Sequence, residues 1–176
     1  MNHARPLCLT RLLLLGLLFA LLWGCGEQRP GPRPAPEFSL PQLDAATQLS
    51  LSDYRGEVVY VTFWASWCLP CRQEMPYLSQ LLQRHRGEGF RVLAINVDED
   101  VALARAFVDE VGMSFPVLLD SNREVSRSYR APGFPTHYLI DRDGDIRYSG
   151  IGFDLNDVRA VSQEVATLLG ESGNAE

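Results

Sequence analysis

The hydrophobic pattern of the chain predicts alternating strands and helices from residue 37 onward. Continuous apolar runs at 57–65 ("EVVYVTFWA") and 90–97 ("FRVLAINV") are typical of strands covered on both faces. Apolar residues recur at helical spacing in "CRQEMPYLSQLLQRHR" and "VALARAFVDEVG", which follow these two runs. The order strand, helix, strand, helix predicts βαβ connections, and therefore parallel strands.

Shorter elements are predicted on either side of this body. Before it, "FSL" and "TQLSL" flank the turn-like "PQLDAA" and predict an opening hairpin. After it come the strands "PVLLD" and "THYLI", a hairpin turn at "DGD", and a closing amphipathic helix capped by Asp154 or Asn156. The pattern predicts one α/β domain over 37–171, with a central mixed β-sheet flanked by helices, and a frayed tail at 172–176.

The first residues follow a different pattern. Arg5 and Arg11 precede an uncharged, leucine-rich run over 12–26, which is typical of a secretory signal. The run is shorter than the roughly 20 apolar residues that a membrane-spanning helix requires. It ends "LLWGC", which resembles the lipobox of bacterial lipoproteins. We therefore expect residues 1–24 to be a signal peptide and Cys25 to be lipidated.

The segment that follows the leader is rich in proline. "EQRPGPRPAP" has no apolar periodicity, so residues 25–36 are expected to be the lipidated cysteine and an extended tether to a membrane. In an alternative interpretation, Cys25 ends an ordinary leader or a short anchor. Either interpretation places the domain outside the cytoplasm, in a periplasm or equivalent space, and we expect a monomer.

Composition narrows the choice of partners and chemistry. The formal net charge is −6, and an acidic surface argues against a nucleic-acid partner, which binds basic patches. Cys8 lies in the leader and Cys25 at its end, so the folded domain holds only Cys68 and Cys71. An oxidising compartment allows these two cysteines to form a disulfide.

The stretch "WCLPC" places the two cysteines two residues apart at the start of a predicted helix. The N-terminus of a helix offers unpaired N–H groups and a partial positive charge, which stabilise a thiolate. The effect falls mainly on Cys68, because Cys71 lies one turn further along and is more buried. We expect Cys68 to attack a substrate disulfide and Cys71 to resolve the mixed disulfide.

Two other roles fit this pair less well. A zinc site requires four ligands, and the domain offers only His85 and His137 besides the cysteines, at a spacing unlike that of a zinc finger. A purely structural disulfide across so small a loop would restrict the unfolded chain very little. No metal and no other cofactor is expected.

The segment "FWASWCLPCRQEMP" resembles the active site of thioredoxin-fold proteins. Together with the export leader it is most similar to the TlpA/ResA-like, membrane-anchored thiol–disulfide oxidoreductases. The stretches "PEFSLPQLD", "LSDYRGEVVYVTFWASWC", "VLAINVDED" and "GFPTHYLIDRDGDI" follow in the order of that family over most of the chain. The resemblance implies a thioredoxin-like fold with an N-terminal β-hairpin extension.

The same resemblance implies roles for the residues around the cysteines. Trp67 matches the aromatic residue before the pair. Pro135 matches the proline that is cis in this fold and lies against the disulfide, so Phe134 and Pro135 are expected to face the substrate. Glu74 matches an acidic residue that such proteins place close to the cysteines, where it can move the proton that exchange requires. The alternative for Glu74 is a first-turn glutamate that stabilises the helix dipole.

Two positions depart from the family pattern. Thr62 stands where thioredoxin carries a buried acid, so Glu74 is the remaining candidate proton carrier. His137 stands two residues after Pro135, on the same side of the strand, where the family more often has an apolar or hydroxyl residue. We expect a core histidine held by a hydrogen bond; the alternative is a residue that senses pH or tunes the cysteine pair.

The predicted function is that of an enzyme, an extracytoplasmic protein-disulfide oxidoreductase that reduces specific protein disulfides. The resemblance implies apocytochrome c as a candidate substrate, hence cytochrome c maturation, and a DsbD- or CcdA-type membrane protein as electron donor. One alternative is a peroxiredoxin-like peroxide reductase, which Ala65 disfavours because a threonine is expected three residues before the attacking cysteine. Another is a copper chaperone that uses Cys68, Cys71 and His137.

Overall fold

The computed structural model describes residues 33–44 and 46–171. The predicted signal peptide, the predicted lipidation site at Cys25, most of the predicted tether and the tail at 172–176 lie outside the described residues. Within the described part of the chain, no helix is both long enough and apolar enough to cross a membrane.

The described residues form eight strands and four α-helices. The strands are β1 (Arg33–Pro34), β2 (Ser39–Pro41), β3 (Gln48–Ser50), β4 (Val58–Trp64), β5 (Phe90–Asn96), β6 (Val117–Leu119), β7 (Thr136–Ile140) and β8 (Asp145–Ile151). The helices are α1 (Leu69–Arg84), α2 (Val101–Val111), α3 (Glu124–Ser128) and α4 (Leu155–Gly170). Six strands form one sheet in the order β1-β8-β7-β4-β5-β6, and β2 pairs with β3 as a separate hairpin.

The main sheet combines parallel and antiparallel pairs, as its connections require. β5 runs parallel to β4 and β6, with α1 and α2 as the crossovers that the βαβ pattern predicts. β7 runs antiparallel to both β4 and β8, and the turn between β7 and β8 contains Gly144 at φ 90°. The predicted mixed sheet, its flanking helices and the opening hairpin are confirmed.

Burial explains why these strands lie at the centre. Every residue of β4 and of β7 is buried, and β5 is buried except for Arg91. Helix α1 buries Met75, Leu78 and Leu81 at helical spacing. Burying an apolar side chain of this size is worth roughly 1.5–3 kcal/mol, so these elements form a rigid support for the loops that follow β4 and precede β7.

The sheet begins earlier in the chain than the sequence pattern predicts. Arg33 and Pro34, which that pattern places in the tether, pair antiparallel with β8. The Ala35 N–H then donates to the Gly144 carbonyl at 2.9 Å. The sheet therefore includes two residues that precede the domain boundary expected at residue 37. Proline has no backbone N–H to donate, so it occurs in an edge strand such as β1, where one side of the strand has no neighbour, but not in a central strand.

Candidate active site

Cys68 and Cys71 form a disulfide at the N-terminus of α1, with their Cα atoms 5.3 Å apart. Cys68 is the N-cap residue, and its Sγ accepts a hydrogen bond from the Cys71 N–H at 3.2 Å. Pro70 lies in the first turn of the helix, where a missing N–H costs no intrahelical hydrogen bond. In the reduced protein the same N–H and the helix dipole favour a thiolate at Cys68.

Large apolar side chains surround the disulfide on the surface. Cys68 is 5 % exposed and Cys71 is fully buried, whereas Trp67 and Leu69 on either side of Cys68 are 65 % and 71 % exposed. Exposed apolar groups beside a reactive pair are typical of a surface that contacts another protein. Of the two cysteines, Cys68 is the more exposed.

The segment before β7 lies next to the disulfide loop. The peptide bond between Phe134 and Pro135 is cis, as the resemblance to thioredoxin-fold proteins predicts. The Phe134 ring lies 5.8 Å from the Trp67 ring, edge to face. Pro135 is buried, and its carbonyl accepts a hydrogen bond from the Gly152 N–H at 2.8 Å. The structure therefore brings together the aromatic residues expected at the substrate surface.

A buried carboxylate holds the loop that carries Trp67. Asp98 Oδ2 accepts hydrogen bonds from the Ser66 N–H and from Asn96 Nδ2, both at 2.8 Å. The Asp98 N–H donates in turn to Asn96 Oδ1 at 3.0 Å. These bonds tie the loop after β4 to the end of β5. The sequence interpretation missed this contact, although polar residues directly after a buried parallel strand, at an edge where β4 also ends, are a signal for it.

Glu74 lies one turn after Cys71 on α1 and is fully buried. Its Oε1 accepts a hydrogen bond from the Tyr60 hydroxyl at 2.9 Å, and its Oε2 accepts one from Thr62 Oγ1 at 3.0 Å. Burial raises the pKa of Glu74 from 4.5 to about 7, although the two hydroxyl donors lower it. A carboxyl group that titrates near neutral pH, three residues from Cys71 on one helix, can take up or release a proton during exchange.

The sequence of β4 carries a signal for this contact that the sequence interpretation missed. Tyr60 and Thr62 stand at alternate positions of the strand, so both hydroxyls point to the same face. Two hydroxyl side chains on one face of an otherwise apolar, buried strand indicate a polar partner against that face. Thr62, at the position of the acid in thioredoxin, thus binds the acid that this chain supplies from α1.

His137 completes the buried cluster. It is fully buried, pairs with Thr62 across the strands β7 and β4, and places Nδ1 3.6 Å from Glu74 Oε1. Neither ring nitrogen has a hydrogen-bond partner among the described residues. A core histidine is confirmed, but the expected hydrogen bond is wrong, because Tyr60 and Tyr148 stack on the imidazole at 5.4 and 5.9 Å and offer ring faces. Burial lowers the pKa of His137 from 6.5 to about 4.

The copper-binding alternative requires three ligands in one place. Within residues 33–44 and 46–171, no three histidine, cysteine, aspartate or glutamate side chains are arranged to hold a metal ion. Cys68, Cys71 and His137 therefore form no metal site in this arrangement, and the two sulfurs are bonded to each other.

Known proteins resemble the chain in sequence. Residues 32–149 match the AhpC/TSA family. The chain is 37 % identical over 113 residues to the thiol–disulfide oxidoreductase ResA of Geobacillus kaustophilus; the match covers 64 % of this chain and 64 % of that protein, just under two thirds of its length. It is 33 % identical over 120 residues to ResA of Bacillus anthracis, which covers 68 % of this chain and 69 % of that protein.

Solved structures resemble the chain in fold. A protein described as the thiol:disulfide interchange protein DsbE from Chlorobium tepidum matches with a TM-score of 0.76 and 38 % identity, over 79 % of this chain and 97 % of that one. A protein described as a disulfide isomerase from Bacteroides thetaiotaomicron matches with a TM-score of 0.74 and 31 % identity, over 81 % of this chain and 91 % of that one. The predicted thioredoxin-like fold is confirmed.

Proposed function

The chain belongs to the AhpC/TSA family and to the ResA-type thiol–disulfide oxidoreductases, and on that premise we propose that it exchanges disulfides with other proteins through Cys68 and Cys71. The observation that carries the proposal is the disulfide at the start of α1, where the sulfur of Cys68 itself caps the helix. The reaction it supports best is the reduction of specific protein disulfides. Apocytochrome c is the candidate substrate, on the strength of the likeness to ResA.

The proposed reaction starts from the reduced pair. The Cys68 thiolate attacks one sulfur of a substrate disulfide and forms a mixed disulfide, while the other substrate sulfur leaves as a thiolate and takes up a proton. Cys71 then loses its proton, attacks Cys68 Sγ and releases the second substrate thiolate, which is also protonated. The enzyme dithiol has become the Cys68–Cys71 disulfide, and the substrate disulfide has become two thiols.

Glu74 is the proposed acceptor of the Cys71 proton. Cys71 is fully buried, so water is a poor route for that proton, and Glu74 is buried three residues further along the same helix. Because its pKa is raised to about 7, a substantial fraction of Glu74 is ionised at neutral pH and able to accept the proton. Trp67 and Phe134 are the proposed side-chain contacts for the substrate segment; Pro135 is buried, so its proposed part is limited to the backbone of the cis peptide bond.

The setting of the enzyme is part of the same proposal. The likeness to ResA, together with the apolar leader, supports an extracytoplasmic location and a lipid anchor at Cys25. In an oxidising compartment the reductant must be re-reduced after each turnover. A DsbD- or CcdA-type membrane protein is the proposed electron donor.

The reduction potential of the pair tests this function. Cys8 and Cys25 are replaced by serine so that thiol trapping reports only Cys68 and Cys71, and the protein is equilibrated with glutathione and dithiothreitol buffers. We expect a potential near the roughly −270 mV of thioredoxin, well below the roughly −120 mV of the oxidase DsbA. Cys71→Ser is expected to trap a mixed disulfide with a substrate protein, and Cys68→Ser, the matched control, to trap none.

Two outcomes contradict parts of the proposal. A potential near that of DsbA would make the protein an oxidase and would remove the cytochrome c assignment. Failure of the pair to form a reversible disulfide would overturn thiol–disulfide exchange altogether. Because the chain matches the AhpC/TSA family, the alternative of a peroxide reductase is tested on the same samples. Peroxide consumption is measured, and we expect no rate above the uncatalysed one.

A further inference from the structure

The proposed mechanism assigns a role to Glu74 but none to His137, a second fully buried titratable group of the cluster. Neither nitrogen of the imidazole has a hydrogen-bond partner among the described residues. A buried polar atom without a partner costs about 1–3 kcal/mol, which an apolar residue at this position would avoid. The nearest oxygen of an acid is Glu74 Oε1, 3.6 Å from His137 Nδ1.

The imidazole is held in this orientation from three sides. The rings of Tyr60 and Tyr148 stack on its two faces with interplanar angles of 20° and 14°. Across the ladder from β7 to β8, Gly150 pairs with His137, and a Cβ atom at position 150 would lie 2.3 Å from Nε2. The Nε2 edge of the ring therefore lies against the backbone of β8, and the Nδ1 edge lies toward Glu74.

Among the titratable groups that face His137 in the described part of the chain, Glu74 has a pKa raised to about 7. Strand β4 supplies Tyr60 and strand β8 supplies Tyr148, and burial raises the pKa of both phenols, so both stay neutral. Helix α4 supplies Asp157, whose charge raises the pKa of both Glu74 and His137. Helix α1 supplies Glu74 itself.

The partners of Glu74 also leave room for an acceptor. The hydroxyls of Tyr60 and Thr62 donate to one oxygen each, an arrangement that suits the ionised carboxylate. When Glu74 gains a proton, its own O–H needs an acceptor, and either hydroxyl can accept it only by giving up the hydrogen bond that it donates to Glu74. His137 Nδ1 has no hydrogen-bond partner among the described residues, and in the tautomer that carries the proton on Nε2 it offers a lone pair. It lies 3.6 Å from Oε1, and a hydrogen bond needs a separation of about 2.7–3.0 Å, so a small movement is sufficient.

Building on the proposed function, we propose that His137 is a positioning residue for Glu74, and that Glu74 Oε1 and His137 Nδ1 hold one proton between them. The Cys71 thiol gives up its proton, the Glu74 carboxylate accepts it, and the resulting O–H donates to Nδ1. The proton returns along the same path when the disulfide is reduced again. The cluster gains and loses one proton per cycle, and His137 keeps it beside Cys71.

Nuclear magnetic resonance tests the shared proton directly. The whole protein is labelled with ¹⁵N in histidine and with ¹³C in glutamate carboxyl groups, and is titrated from pH 4 to 9. We expect His137 Nδ1 and the Glu74 carboxyl carbon to shift with one midpoint, and the His137 step to vanish in Glu74→Gln. His85, whose Nδ1 lies 3.0 Å from Glu88 Oε2, is the internal control, and its nitrogen signals are expected to be unchanged by Glu74→Gln.

The rate of disulfide reduction supplies a readout that a purely structural histidine would not move. His137→Phe keeps a ring between the two tyrosines but removes the acceptor for the Glu74 O–H. The midpoint of its pH–rate profile is therefore expected to fall by about one pH unit, which corresponds to a tenfold change in proton affinity. His137→Gln restores an acceptor and is expected to recover part of the shift. Should His137→Phe fail to fold, His137→Thr, smaller and uncharged, takes its place.

The outcomes separate this inference from the proposed function. Constant His137 nitrogen signals across the Glu74 titration, or an unchanged pH–rate midpoint in a folded His137→Phe protein, would overturn the shared proton while leaving exchange by Cys68 and Cys71 intact. Loss of a reversible disulfide in the unmodified protein would overturn exchange, whatever the spectra show for His137.

Discussion

Two buried carboxyl groups lie near the disulfide loop, and their partners differ in kind. Asp98 accepts hydrogen bonds from the backbone N–H of Ser66 and from the side-chain NH2 group of Asn96, both of which can only donate. Glu74 binds two hydroxyls, which can donate or accept, and lies beside the imidazole of His137. Donors of the first kind hold the loop after β4 in place, whereas a hydroxyl can turn from donor to acceptor when Glu74 gains a proton. Both acids are buried, and burial raises the pKa of Glu74 to about 7; the chemistry of their partners then differs, with fixed donors around Asp98 and groups that can also accept around Glu74.

The largest expected effect is on stability, at Asp98. Asp98→Ala leaves the Ser66 N–H and the Asn96 amide without an acceptor, and each unpaired buried donor costs about 1–3 kcal/mol. We expect the free energy of unfolding to fall by about 4 kcal/mol in a urea titration, with little change in disulfide reduction per folded molecule. Asp98→Asn keeps one acceptor oxygen and is expected to recover about half of the loss. A variant as stable as the parent would remove the structural role assigned to Asp98.

The next largest effect is on the pH dependence of the free energy of unfolding, to which Glu74 and His137 contribute with opposite signs. The pKa of His137 is lower in the folded protein than in the unfolded chain, so the unfolded chain binds more protons between pH 4 and 6.5, and stability rises with pH there. The pKa of Glu74 is higher in the folded protein, so the folded protein binds more protons between pH 4.5 and 7, and stability falls with pH there. In the parent protein these two contributions oppose each other.

Removing one partner should reveal the contribution of the other. In Glu74→Gln we expect the free energy of unfolding to rise by about 3 kcal/mol between pH 4 and 6.5 relative to the parent, at about 1.4 kcal/mol per unit of pKa shift. His137→Phe is the matched control and should show the opposite slope above pH 4.5, over a window that ends below pH 7 because the Glu74 midpoint falls in this variant. Urea titrations at several pH values measure both. Parallel curves for the two variants would show that neither group titrates as the structure implies.

The smallest effect is expected at a carboxylate on the surface. Asp154 caps α4, and its Oδ1 accepts from the N–H groups of Asn156 and Asp157 at 2.6 and 3.1 Å. Asp154→Ala should lower the free energy of unfolding by about 1 kcal/mol at pH 7 and leave the pH–rate profile of disulfide reduction unchanged. If Asp154→Ala lowered the free energy of unfolding as much as Asp98→Ala, burial would not explain why the exposed Asp154 and the buried Asp98 differ.

Local sequence pattern was sufficient for much of the fold and for the reactive pair. The apolar runs that became β4 and β5 and the helical spacing in α1 are short-range signals, and "WCLPC" fixes the two cysteines at the first turn of that helix. The sequence also limited the N-cap residue of α4 to Asp154 or Asn156, and the structure shows that it is Asp154. Each of these features depends on residues that are close together in the chain.

The features that the sequence did not reveal depend on contacts between distant residues. Strand β1 has two residues, too few for any periodicity, and its proline argued against a strand. The contact of Glu74 with Tyr60 joins α1 to β4, and the unpaired nitrogens of His137 depend on the register of β7 against both neighbours. No short-range pattern encodes a register, so the missing hydrogen bond could be seen only in the folded chain.

Gly150 has a consequence for the history of this sequence. Because a Cβ atom at position 150 would overlap the imidazole of His137, the two positions cannot vary independently. A lineage can acquire histidine at 137 only if glycine is already present at 150 or arises with it. Once the histidine is in place, mutation of that glycine is no longer neutral. If the histidine is lost, position 150 becomes free to take a side chain, and the path back is then closed until the glycine returns.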